Sequence, residues 1–369
     1  MKLIRFEARD FRNLRKVFLD CHPRFNILHG DNGQGKTNLL EAAYLLGTLR
    51  SFRAAKTAEL IAFGAPDAEI RALIERKGVQ RLLEVKLTPG HKSARVDGKG
   101  ARANDYFGGV NVVLFAPEDL QLPRGAPAER RRFLDRAIFN ANPDYLAEAQ
   151  RYERILKSRN ALLRDASKVP PNLSLLDVYD EQLAIAAGPI IRRRAHIVEA
   201  LTPRVQNAFE RVTQWGMSLA LTYQADVEDG DVMLARLRAE RGRDLARGAT
   251  SSGPHTDELA IDLAGRAARA FASQGQLRAL VLAMKIAEIE YLSEILGSPP
   301  VLLLDDVSSE LDPIRSRQLF EFLLEVPCQT FITTTHPSYV PLALEGAESG
   351  SQTLKETKLF QVVGGEVSS

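Results

Sequence analysis

"HGDNGQGKTNLL", residues 29–40, decides how the chain is read. Gly30 and Gly35 bracket four residues and are followed by Lys36 and Thr37, the phosphate-loop pattern G-x-x-x-x-G-K-[ST]. The spacing has a mechanism. Gly30, Gly33 and Gly35 let backbone N–H groups curl around an anion, and the helix that follows points its positive end at it. Lys36 is placed to reach the β- and γ-phosphates, and the Thr37 hydroxyl to meet Mg²⁺. Asp31, Asn32, Gln34 and Asn38 complete the stretch expected to line the nucleotide. The flanks agree: the apolar run Phe25–Leu28 suits a short buried strand, and "TNLLEAAYLLGTL" carries an apolar stripe at Leu39, Leu40, Ala43 and Leu46 at helical spacing. A Gly-rich turn that matches by chance is the competing reading, and it lacks a reason for this strand and helix.

Composition bounds the rest. The chain has 369 residues, 45% of them apolar and 26% charged, which fits an ordinary globular protein of about two to three domains. Lys and Arg number 49 against 47 Asp and Glu, so any binding of nucleic acid must come from a local patch rather than a global positive field. Cys21 and Cys328 form no CxxC pair, which suits a reducing cytoplasm and argues against a disulfide framework or zinc site. Charges at Lys2, Arg5, Glu7, Arg9 and Asp10 exclude a signal-peptide core. The longest uncharged run, Val326–Leu344, carries three prolines and a threonine cluster, so no membrane span is expected.

Three regions follow. Residues 1–118 read as β-rich, with strands in "KLIRFEARDF", "KVFLD" and "FNILHG", a meander through "AEIRALIER", "RLLEVKLTPG" and "KSARVDG", and a buried strand in "GGVNVVLFAPEDL". Residues 119–249 turn Arg-rich and helix-favouring, with breaks at Pro143, Pro170-Pro171 and Pro203. They form a helical insert without a sustained heptad. Residues 250–369 resume the β/α pattern. The expected fold is α/β, one lobe split by a mainly helical insert.

"PPVLLLDDVSSELD" supplies a second strong signal. Val301–Leu304 suits a fully buried parallel strand, and its two carboxylates emerge at the carboxyl edge, where nucleotides bind. Asp305 becomes the Mg²⁺ partner, and Asp306 is placed to orient or deprotonate the attacking water. A third signal is "SQGQLRALVLAMKIAEIEYL", an apolar helix face headed by Ser273, Gln274, Gly275 and Gln276. Such an end can hold an anion, and equally reads as a plain N-cap.

A phosphate loop, a Ser-Gln-Gly-Gln signature heading a helix, Walker B and "SSELD", in that order, resemble an ABC-type ATPase head of the class shared by SMC and Rad50 proteins. Within that class the chain resembles the RecF family of bacterial recombination-repair ATPases. "FRNLRKV", "GDNGQGKTNLLEA", "VVLFAPEDLQL", "RRRFLD", "SGPHTDEL", "SQGQLRAL" and "LLLDDVSSELD" carry the likeness over nearly the whole chain.

The resemblance implies an ATP- and Mg²⁺-dependent homodimer in which Ser273, Gly275 and Gln276 of one copy cap the nucleotide held by the other. One loop and one signature per chain fit that stoichiometry. It further implies that Asp312 lies at the dimer seam and that Arg12 and Asn13 lie beside the phosphates, although Arg12 also reads as an exposed turn residue. His336 stands where related folds often place a γ-phosphate sensor; a surface histidine at a strand end is the other reading. Implied partners are double-stranded DNA, including junctions with single-stranded gaps, and RecR and RecO in placing RecA.

Two positions depart from the pattern. Asp306 is one methylene shorter than the Glu common in the class, which suggests slow hydrolysis, and Thr256 stands where family members carry Arg. Between Glu129 and Asp165 there are nine basic against six acidic residues, including Arg130, Arg131, Arg132 and Arg136, with further clusters at Arg192–Arg194 and Arg236–Arg247. These read as phosphate contacts or as solvated helix faces. No aromatic series accompanies them, which disfavours a single-strand binder. The rival readings are an ABC transporter ATPase, whose phosphate loop and Walker B lie closer together, an SMC or Rad50 head, which needs a coiled coil here, a metabolic kinase, which has no signature helix, and an adaptor that binds ATP without hydrolysing it.

Overall fold

The computed structural model describes residues 1–53, 56–102, 106–166, 172–306, 313–340 and 356–368. They fall into two compact units, one of residues 1–121, 211–213 and 278–369, the other of residues 122–210 and 214–277.

The first unit is built on two six-stranded sheets. One is antiparallel and contains β1 (Lys2–Phe11), β2 (Leu14–Asp20), β4 (Ala68–Arg76), β5 (Val79–Thr88), β6 (His91–Val96) and β7 (Lys99–Gly100), in the order β2-β1-β4-β5-β6-β7. Alternation sets its faces: Ala68, Ile70, Ala72 and Ile74 are buried on one side of β4 while Arg71 on the other is exposed. The second sheet contains β3 (Phe25–His29), β8 (Val112–Phe115), β12 (Val301–Leu304), β13 (Thr330–Thr334), β14 (Thr357–Val363) and β15 (Glu366–Ser368), in the order β15-β14-β3-β13-β12-β8. All but β15 run parallel, and β3, β8, β12 and β13 are buried almost without alternation because both of their faces are covered.

Helix α1 (Lys36–Thr48) packs against strands of both sheets, which is why nearly every side chain of it is buried and not only the predicted stripe. Gln329, just before β13, fastens one sheet to the other: its amide donates to the Leu3 carbonyl at 2.8 Å and accepts from the Leu3 N–H at 2.7 Å. The topology brings the carboxyl ends of β3, β13 and β12 side by side, and the loop after β3, the Walker B pair and His336 all leave the sheet there.

The second unit carries helices α2 (Pro127–Ala141), α3 (Tyr145–Asp165), α4 (Leu173–Thr213), α5 (Gly230–Ala239) and α6 (Arg241–Arg247). It also carries a small sheet of β9 (Leu219–Gln224), β10 (Glu258–Leu263) and β11 (Arg266–Ala267). It extends past residue 249, where the sequence places the end of the insert, because β10 pairs with β9 and draws residues 250–277 into this unit.

Pro203 does not break the chain as expected. It lies with Pro189 inside the 41-residue α4. Thr202 Oγ1 donates to the Val198 carbonyl and Arg204 Nη1 to the Ala200 carbonyl, both at 2.7 Å, so carbonyls beside the lost N–H keep donors. Burial of Leu201, Val205, Ala208 and Phe209 offsets the roughly 3 kcal/mol that proline costs within a helix. Pro170 and Pro171 lie outside the described residues.

An ionic core holds the second unit together. Arg159, with none of its side chain exposed, donates to Asp180 at 2.6 Å, to Asp244 at 2.7 Å and to Thr250 at 2.8 Å. Arg194 is bidentate on Asp135 and reaches Asp257, which also accepts from the Tyr223 hydroxyl. The "GPH" turn rests on this core, with Tyr152 and the Thr250 carbonyl gripping the two ring nitrogens of His255 at 2.7 and 3.0 Å.

Candidate functional site

The loop after β3 is held open by backbone that only glycine supplies. Gly30 has φ 149°, and a Cβ there would stand 2.3 Å from the Val362 carbonyl oxygen; Gly35 has φ 112°, and its Cβ would meet the Asn13 side chain at 2.8 Å. Gly33, at φ 80°, is exposed with Asp31 and Asn32 at the tip. From Lys36 onward the chain is helical, so the first N–H groups of α1 face the hollow of the loop.

Lys36 is buried, and its ammonium donates to the carbonyls of Gly30 at 2.5 Å and Asp31 at 2.8 Å. Burial draws its pKa below the usual lysine value, against the carboxylates of Asp306, Asp305 and Asp31. Thr37 Oγ1 donates to Asp305 Oδ1 at 2.9 Å, across a sequence separation of 268. Thr333 at the end of β13 donates to the same oxygen at 2.8 Å, and its hydroxyl accepts from the Asp306 N–H at 2.9 Å. Burial raises the Asp305 carboxyl above the usual range, against the hydroxyls of Thr333 and Thr37 and with Glu118 adding to the rise. Asp306 sits in the left-handed region at φ 48°, which turns the chain sharply at the strand end.

One hydroxyl and one carboxylate in contact suit Mg²⁺, which takes few protein ligands and completes its shell with water and phosphate oxygens. Among the described residues no group of three or more His, Cys, Asp or Glu forms an all-protein metal cage.

Asn13 lies against the loop, donating to the Gln34 carbonyl at 3.2 Å and accepting from Asn38 at 2.8 Å. Arg12 does not point at the loop. Its guanidinium is bidentate on Glu41 at 3.0 Å and caps the Glu59 carbonyl at 2.9 Å. The reason is electrostatic: Glu41 is fully buried in α1, and an uncompensated carboxylate there would be costly. Arg53, which donates to Asn38 at 3.1 Å, stands closer to the site.

His336 is exposed at the same sheet edge. Its Nδ1 accepts from the Ser338 N–H at 3.2 Å, which leaves Nε2 outward. Asp312 and the "SSEL" before it lie outside the described residues.

The signature belongs to the second unit and the phosphate loop to the first. Ser273 and Gln276 form a reciprocal cap on the helix Gln274–Leu296 (α7): Ser273 Oγ accepts from the Gln276 N–H at 3.2 Å, and Gln276 Oε1 accepts from the Ser273 N–H at 2.8 Å. The N-cap reading is the one this geometry describes, at a helix start where Ser273 and Gln274 are exposed.

Sequence reasoning missed a brace. Gly364 and Gly365, in the turn between β14 and β15, donate to Gln34 Oε1 at 2.6 Å and to the Gln34 carbonyl at 2.9 Å. A Cβ on Gly365 would meet the Asn13 carbonyl oxygen at 2.2 Å. The Gly-Gly pair was the available signal, but no local pattern gives its partner 330 residues away. Thr333, in the "TTT" of β13, was missed for the same reason. Burial raises the thiol of Cys21 to about 12, and pushes that of Cys328 up as well, so both are packing residues.

The family model described as "RecF/RecN/SMC N terminal domain" matches residues 2–349. The DNA replication and repair protein RecF of Anaeromyxobacter sp. (strain Fw109-5) is 45% identical over 379 residues, covering 100% of this chain and 99% of that protein. The chain belongs to the RecF family. RecF of Myxococcus xanthus (strain DK1622) is 44% identical over 352 residues, covering 92% of each. A solved structure of RecF with ATP, described as a recombination mediator protein of the RecFOR pathway, superposes with TM-score 0.87 at 30% identity, covering 99% of this chain and 96% of that one. An SMC head matches at TM-score 0.57 and 16% identity over 100% of this chain and 96% of its own, which shows the shared ABC-type head fold. Among the described residues no helix is long and apolar enough to cross a membrane.

Proposed function

We propose that the chain binds ATP with Mg²⁺, that two copies close on two nucleotides around double-stranded DNA, and that slow hydrolysis reopens the clamp. The observation that carries this is the contact of Thr37 with Asp305 beneath a glycine-fixed loop, with a single signature serine presented by the other unit. Each copy then holds half of a site, and the second half comes from the partner.

In this reading Lys36 exchanges the Gly30 and Asp31 carbonyls for the β- and γ-phosphate oxygens. Thr37 and Asp305 would hold Mg²⁺, whose charge would screen the phosphates. Asp306, its backbone fixed by Thr333, orients the water that attacks the γ-phosphorus and takes its proton, so that ATP and water give ADP and inorganic phosphate. Its short side chain keeps that water further from the carboxylate than Glu would, which favours slow turnover. Ser273, Gly275 and Gln276 cap the γ-phosphate from the partner copy. Asn13, Asn38 and Gln34 shape the loop, Asp312 belongs to the seam, and His336 offers Nε2 toward the same edge.

The solved relative's description as a recombination mediator supports a place in gap repair: binding at junctions of duplex with single-stranded DNA, and cooperation with RecR and RecO in loading RecA, near the nucleoid in the cytoplasm. Phosphate release with Mg²⁺, with and without duplex DNA, tests the chemistry. Wild type should turn over slowly and faster with DNA, and Lys36→Met should release none. Equal release by Lys36→Met would place the chemistry elsewhere, and none by wild type would make the protein an adaptor.

A further inference from the structure

Most of the arginines that the sequence offers as phosphate contacts are occupied inside the second unit. Arg130 is bidentate on Glu258 at 2.6 and 2.7 Å, Arg193 on Glu148 at 2.6 and 2.9 Å, and Arg194 on Asp135 at 2.9 and 3.1 Å. Arg236 reaches Asp226, Arg238 reaches Glu181, and Arg241 reaches both Asp177 and Asp180. A guanidinium already neutralised by a carboxylate adds little attraction for a phosphate. These arginines hold the unit together.

Arg151, Arg154 and Lys157 differ. They stand at i, i+3 and i+6 on α3, all exposed, and none has an ion pair or hydrogen bond among the described residues. At 3.6 residues per turn and 1.5 Å rise they cover about 120° of arc and about 9 Å of helix. The opposite face carries Tyr152, Arg159 and Leu163, all buried, and Arg159 is locked on Asp180 and Asp244. That anchoring fixes the rotation of α3 and keeps the three cations turned to solvent. Glu153 borders the stripe and is also unpaired among the described residues, so three cations stand against one carboxylate. No aromatic side chain lies among the three, so the stripe has nothing on which a base could stack.

We infer that Arg151, Arg154 and Lys157 form a contact surface for the phosphate backbone of duplex DNA, read without regard to sequence. This rests on the DNA-binding reading given above and adds to it the residues that make the contact. Unpaired cations on a rigid helix match closely spaced phosphates, and each phosphate neutralised releases a counterion. Arg243 and Arg247, exposed and without a side-chain partner among the described residues on the seven-residue α6, serve as the comparison; Arg132, Arg192 and Arg269 stand singly exposed elsewhere in this unit.

The test is a salt series of equilibrium binding to a duplex oligonucleotide, with ATP and Mg²⁺ present, on the full chain. The triple variant Arg151→Gln, Arg154→Gln, Lys157→Gln should flatten the slope of log affinity against log salt by about 2.7 and weaken binding about 100-fold near 0.15 M salt. Nucleotide affinity and melting temperature should stay at wild-type values, while Arg243→Gln with Arg247→Gln keeps the wild-type slope. A wild-type slope in the triple variant overturns the inference, as does finding the loss in the Arg243 and Arg247 variant instead. Preference of the stripe for single-stranded DNA or RNA overturns the duplex assignment. If wild type binds no duplex at any salt, the DNA reading itself fails.

Discussion

Replacing Gly365 by Ala should weaken ATP binding about 30-fold, although the residue is in the last turn of the chain and far in sequence from the phosphate loop. The added methyl would stand 2.2 Å from the Asn13 carbonyl oxygen, closer than real Cβ atoms approach, and φ 85° is unfavourable for any side chain. Backbone lies on both sides of the clash, so the turn between β14 and β15 must move away from the loop. Two hydrogen bonds then go, from Gly365 N–H to the Gln34 carbonyl and from Gly364 N–H to Gln34 Oε1. At about 1 kcal/mol each the loop loses about 2 kcal/mol of bias toward its binding conformation. If nucleotide binds only that conformation, the loss appears in affinity, and about 2 kcal/mol is about 30-fold. Titration with a fluorescent ATP analogue measures it. Gly364→Ala is the control, because nothing lies within 4 Å of its Cβ and its N–H remains; binding should fall by only a few-fold. A Gly365→Ala protein that binds within about twofold of wild type would refute the reasoning, since neither clash nor lost bonds would then matter to the loop.

Two further outcomes follow from the second unit. Arg159→Met leaves Asp244 buried without its cation and Asp180 with Arg241 alone, and should cost about 3–5 kcal/mol in urea unfolding, with part of the loss recovered by adding Asp244→Asn; a loss under about 1 kcal/mol would mean that water reaches the site. Burial lowers the pKa of His255 below the ordinary histidine value of 6.5, so above that value it is neutral in both folded and unfolded chains and costs nothing. As pH falls below 6.5 the unfolded chain takes up the proton first, and stability drops; melting followed from pH 8 to 5.5 should show a decline that His255→Gln removes.

What the sequence made legible were features whose physics is local. A glycine spacing that permits left-handed backbone, an apolar run ending in two carboxylates, and a Ser-x-x-Gln before an apolar helix each state their own geometry. The fold class followed, because strands buried on both faces and separated by helices form parallel sheets.

What it hid were partnerships between distant residues. The pairing of β14 beside β3, which brings Gly364 and Gly365 onto Gln34, has no trace in either segment alone. The resemblance set Arg12 beside the phosphates, yet buried Glu41 takes its guanidinium. Pro203 looked like a break because local rules price its missing N–H and not the burial around it. The end of the insert at residue 249 was misplaced since β9 and β10, more than thirty residues apart, pair across it. Most of the arginine clusters, basic in composition, prove to be one side of ion pairs.

The central claim is that each chain holds half of a nucleotide site and that ATP joins the halves. Mass in solution by light scattering, with and without ATP and Mg²⁺, on wild type and on Ser273→Arg, tests it most directly. ATP should convert the wild-type monomer to a dimer while the Ser273 variant stays monomeric and still binds nucleotide through Lys36 and Thr37. A mass unchanged by ATP, or a Ser273→Arg protein that dimerises as wild type does, would contradict it.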